Sequence, residues 1–168
     1  MKNYRSKAML VTAISLALCA PAAAEIECGD FTIYYRQHDV YVEDRGEEGE
    51  GPADVRHGSA QLHDADDQPI GSFFWKATVM PRHADGLEDQ PHPLLATGHT
   101  VLSNGTINWS GVADRSNIQG KNLPTRSFQY GVTGGTGVFS GAGGVMEAVT
   151  VEGEDRRTLN FTLMCPAG

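Results

Sequence analysis

Tyr130-Gly131-Val132-Thr133-Gly134-Gly135-Thr136-Gly137-Val138-Phe139-Ser140-Gly141-Ala142-Gly143-Gly144 is the stretch on which the fold turns. Glycine has no Cβ, so it takes positive φ and lets other backbone approach closely. A succession of glycines between two strand-like runs, Phe128 to Thr133 and Val145 to Val151, predicts a tight, bulged corner of the kind that closing a barrel requires. A phosphate cradle is the competing reading. It fits poorly, because no Lys-Ser/Thr follows and strands rather than a helix flank the loop.

Working outward, the chain repeats one pattern. Short runs rich in β-branched and aromatic residues alternate with clusters of Gly, Pro, Asn and Asp, which is the signature of an all-β domain. The runs are Phe31 to Gln37, Val40 to Glu43, His57 to His63, Ile70 to Met80, Leu94 to Leu102, Thr106 to Ala113, Phe128 to Thr133, Val145 to Val151 and Leu159 to Met164. Ser103-Asn104-Gly105 carries the strongest hairpin signal, because Asn and Gly both tolerate positive φ. Phe73, Trp75, Ala77 and Val79 fall on one face of their strand, with Phe74, Lys76, Thr78 and Met80 on the other. Leu159, Phe161 and Leu163 likewise oppose Asn160 and Thr162. Several such strands at regular spacing predict a barrel or a sandwich.

The ends of the chain predict export. Lys2, Arg5 and Lys7 precede an apolar stretch from Ala8 to Ala20, and Ala22-Ala23-Ala24 supplies small residues for cleavage before Glu25. Residues 1–24 are therefore read as a signal peptide and 25–168 as a single domain. The apolar run is short for a membrane span, so no membrane association is expected after its removal. Leu16-Ala17-Leu18-Cys19 is a competing lipobox-like signal, with Leu18 where a small residue is expected. Cleavage leaves Cys28 and Cys165, an even pair in an oxidising compartment, which reads as a disulfide joining the terminal strands. The periplasm or the secreted fraction is the expected location. The formal charge is −8, and the leader carries basic residues and no acids, so the domain itself is more acidic. With no Lys/Arg cluster, nucleic acid is not an expected partner.

The glycine segment resembles the stretch shared by the allene oxide cyclases and dirigent proteins, where a strand runs into a Thr-Gly-Gly-small-Gly turn, an aromatic and further small residues. Asn104-Gly105-Thr106-Ile107-Asn108-Trp109-Ser110-Gly111 resembles the family's turn-and-strand ending in Gly. Ile70-Gly71 with Ser72 to Met80 resembles its central strand, and Leu159 to Met164 its closing strand. The resemblance covers Pro69 to Met164. It implies an eight-stranded antiparallel β-barrel with a central cavity, often assembled as a homodimer or homotrimer. It also implies isomerase or cyclase chemistry on a small, largely apolar molecule. No catalytic residue of the family is carried over to a position here.

The residues themselves offer a short set of candidates. Trp75, Trp109, Phe128 and Tyr130 either line a ligand cavity or pack as core. Glu147 shares a strand face with Val145 and Val149. Pointing into an apolar lumen it would be a catalytic acid or base; pointing out it would be an ordinary surface carboxylate. Asn108 and Asn160 are candidates for orienting a polar group of a ligand. His57 and His63 lie far apart on one strand face, and His83 and His92 share an acidic loop; neither spacing makes a ligand set, so no metal and no cofactor are expected. Two functions follow: an exported isomerase or cyclase, and a non-catalytic binding or scaffold module.

Overall fold

A computed structural model describes residues 25–36, 38–46, 48–49, 51–81, 92–114 and 125–167. The expected signal peptide and His83 lie outside them. Period-two alternation becomes nine strand segments: β1 (Phe31–Tyr35), β2 (His38–Glu43), β3 (Val55–His63), β4 (Pro69–Val79), β5 (Leu94–Leu102), β6 (Gly105–Ala113), β7 (Thr125–Gly137), β8 (Gly143–Val151) and β9 (Arg157–Met164). All neighbours pair antiparallel, in the order β1-β9-β8-β7-β6-β5-β4-β3-β2. β1 pairs with β9, β2 pairs with β3, and Tyr34 opposite His63 closes the ring. β1 and β2 thus share one position, and nine segments make an eight-stranded closed barrel.

The glycine stretch is more strand than corner. β7 continues through Gly131, Gly134 and Gly135 to Gly137, well past Thr133. The bulge lies inside the ladder: Asn108 faces Gly134 and Trp109 faces Val132, leaving Thr133 as the extra residue. Gly134 takes a φ of +136° there, which an L side chain would resist. The turn proper follows, with Phe139 and Ser140 amides bonded back to Thr136 and Gly137 carbonyls.

The Asn-Gly hairpin forms, but not by the expected route. Ser103 and Asn104 are its loop residues, and neither Asn104 nor Gly105 takes a positive φ. Asn104 instead ties down its surroundings: its Nδ2 donates to the Ile26 carbonyl at 2.8 Å, and its own carbonyl accepts from Val138 N at 3.2 Å. Gly105 is needed for space, since a Cβ there would lie 2.2 Å from the Thr136 carbonyl oxygen.

One end of the barrel is filled with side chains. Ile33, Leu62, Ile107, Phe139, Met146, Leu159 and Phe161 are fully buried and belong to one cluster. Each such side chain contributes about 1.5–3 kcal/mol by leaving water. Phe31 stacks on Phe161 at 4.7 Å, and the Cys28–Cys165 disulfide, with Cα atoms 6.0 Å apart, locks this end. Between β2 and β3 the chain is held by Asp54, which is 2% exposed. Its carboxylate accepts the amides of Arg45 at 2.9 Å and Gly51 at 2.8 Å. Those bonds hold its pKa below the ordinary value, Arg56 nearby adding a smaller push in the same direction.

Candidate functional site: an aromatic cup at the open end

The other half of the barrel is hollow because its rows alternate large and small residues. Across β3 to β6 one inward row reads Gly58, Trp75, Gly98, Trp109. A Cβ on Gly58 would lie 2.1 Å from the Trp75 ring, and one on Gly98 would lie 2.2 Å from the Trp109 ring. Each indole therefore lies flat over the glycine of the preceding strand instead of crossing the lumen. Tyr130 leans over Gly111 in the same manner, at 3.2 Å. On β4 to β6 the next inward row towards the open end holds Ala77, Ala96 and Gly111, small residues that leave space above the rings, with Arg56 of β3 opposite Ala77 at the end of the row.

The result is a cup of about 190 Å³. Its wall includes Trp75, Trp109, Phe128 and Tyr130, with Ala77, Ala96, Ala113 and Ala148 between them and Arg157 at the rim. Its floor is an aromatic relay: Tyr35 stacks on Phe73 at 5.5 Å, Phe73 on Trp109 at 5.3 Å, and Trp109 meets Tyr130 at 4.9 Å. Trp109 is 4% exposed, and its Nε1 is buried without a hydrogen-bond partner. Burial pushes the Tyr130 pKa up to about 12, with Tyr35 adding to the rise. Its hydroxyl is therefore a neutral hydrogen-bonding group at physiological pH.

Of the residues singled out from sequence, Trp75, Trp109, Tyr130 and also Phe128 come together in this cup. Glu147 does not. The inward residues of β8 are Met146 and Ala148, so Glu147 faces outward, accepting hydrogen bonds from Ser127 Oγ and, at 3.4 Å, from Asn160 Nδ2. Asn160 is outward too, its Oδ1 accepting from Thr32 Oγ1 at 2.9 Å. Asn108 sits on the outer face, bonded to His99 Nδ1 at 2.8 Å. The residue missed was Arg157. It shares strand parity with Leu159, Phe161 and Leu163, which was the signal that could have placed it inside.

No protein-family model matches the chain, and no curated protein sequence does. Solved structures do resemble it. A pyocyanin demethylase superposes with a TM-score of 0.63 at 17% identity, over 80% of this chain and 99% of that one. A heme-binding cyclase that catalyses a [4 + 2] cycloaddition during neoabyssomicin biosynthesis gives 0.62 at 13%, over 91% of this chain and 73% of that one. A Diels-Alderase from Streptomyces koyangensis gives 0.62 at 10%, over 84% and 71%. The likeness is one of fold. It shows a barrel shared with these proteins and does not make the chain an allene oxide cyclase.

Proposed function

We propose that this protein is an exported barrel that binds a small, largely apolar molecule in the cup, as an isomerase or cyclase of the allene oxide cyclase type. The observation that carries this reading is the cup itself, a cavity kept open by indoles laid over Gly58 and Gly98. At about 190 Å³ it is smaller than the roughly 300–1,000 Å³ of drug-sized pockets, which fits a compact ring system. Catalysis would come from holding one reactive conformer, with Tyr130 Oη as a hydrogen-bond donor. A second reading, binding without turnover, draws on the wall: among the described lining residues there is no carboxylate, imidazole or thiol.

Both tryptophans of the chain line the cup, so intrinsic fluorescence reports on it. Titration of the mature, oxidised protein with 2-naphthamide should change that emission saturably, at one molecule per chain. A linear, unsaturable response would sink the lumen-binding reading. Export is tested separately by N-terminal sequencing of the protein recovered from the periplasm or medium, where Glu25 is the expected first residue.

A further inference from the structure

We infer that the ligand is an anion: a flat, mainly apolar carboxylate whose ring lies in the cup and whose acid group meets Arg157 at the rim. The inference rests on the lumen-binding reading and specifies the chemical class of its ligand. Arg157 takes the inward place at the start of β9 and lines the cavity. It is the only charged side chain among the described lining residues. No described residue forms an ion pair with it. In a chain of net charge −8, an arginine against an apolar cavity with no carboxylate partner among the described residues is conspicuous.

Its neighbours strengthen the case. Thr150 on β8 faces Arg157 on one side and Arg126 of β7 on the other, so a second, exposed guanidinium occupies the same rim row. Tyr130 and Thr150 add neutral hydroxyls to the lining. His38, which burial and then Arg157 drive to lower pKa, is neutral near pH 7 and does not compete as a cation. Asp114 and Glu152 are exposed beyond the ends of β6 and β8. Among the described lining residues the wall thus offers donors and positive charge but no carboxylate. A guanidinium presents a planar fork that matches a carboxylate bidentately, and the contact is stronger at the edge of an apolar cavity than in open water.

The test compares two probes of one shape. 2-Naphthoate and 2-naphthamide are titrated against the mature, oxidised protein by tryptophan fluorescence and calorimetry at low salt. The naphthoate should bind about tenfold more tightly, as a charge-assisted pair adds to ring burial. Arg157→Gln should abolish the preference, and Arg157→Lys should retain part of it, which separates loss of charge from loss of fold. Equal binding of both probes to the wild type, or a preference that survives Arg157→Gln, overturns the inference while leaving the lumen-binding reading intact. Failure of both probes to bind overturns the two together.

Discussion

A glycine under each indole sets the shape of the cup, and this makes Gly98 a sensitive position. A Cβ there would sit 2.2 Å from Trp109 and 2.4 Å from the Phe74 carbonyl oxygen, which is held in the β4–β5 ladder. The indole must swing into the lumen and the strands must part. Gly98→Ala should therefore destabilise the barrel by about 1–3 kcal/mol, the usual range for overpacking, read from urea midpoints at constant m. The same variant should bind 2-naphthamide more weakly. Gly111→Ala is the milder comparison, because its nearest neighbour, Tyr130, lies at 3.2 Å. A Gly98→Ala protein as stable as the wild type would mean that the flat rings are not held by the missing Cβ. At this scale the sequence was informative where large aromatics alternate with polar partners, as Trp109 does between Asn108 and Ser110. It was uninformative on β8, where Val145, Met146, Ala148 and Val149 put apolar residues on both faces. Only the neighbouring register, Met146 opposite both Tyr130 and Phe161, decides that Glu147 points out.

The β2–β3 connection shows how one buried carboxylate organises an element. Asp54 gathers two backbone amides, and its pKa is lowered from the ordinary 3.8 chiefly by those bonds. A group with a depressed folded pKa binds fewer protons in the native state than in the unfolded state. Its contribution is complete above the unfolded value of 3.8 and disappears as pH falls through the folded value. Asp54→Asn should lower the melting temperature at about pH 7, and the difference from the wild type should shrink below pH 3.8. Thermal melts of both proteins across that range check this; a gap that stays constant with pH would assign the effect to packing instead of charge. Element boundaries were legible from sequence where Gly, Pro and Asn punctuate the strands. The exceptions share a cause in tertiary contact. β7 runs through its glycines because they face β6 at close range: a Cβ on Gly135 would meet the Thr106 carbonyl oxygen at 2.3 Å. The β5–β6 turn keeps negative φ because Asn104 is engaged with Ile26 and Val138.

Across the whole molecule, stability and binding are divided between the two ends of the barrel. The closed end holds the Phe31–Phe161 stack, the buried Phe139 and the disulfide; the open end holds the cup and Arg157. The pairing of Cys28 with Cys165 was legible from their number and from the export that the sequence predicts, whereas this polarity was not, since it depends on which rows carry small residues after closure. The bridge spans 137 residues, so the chain-entropy model gives about 4–5 kcal/mol, acting mostly on the unfolded chain. Removing it leaves the five paired positions between β1 and β9, from Phe31–Phe161 to Tyr35–Arg157, to hold the ends together. A Cys28→Ser, Cys165→Ser double variant should therefore fold to the same barrel, lose several kcal/mol in urea unfolding, and bind 2-naphthamide with unchanged affinity under folding conditions. Loss of binding in a variant still folded by circular dichroism would show that the closed end shapes the cup. Retained binding with a large fall in stability would establish that the bridge secures the barrel while the glycine-seated aromatics, several strand rows away, define what it holds.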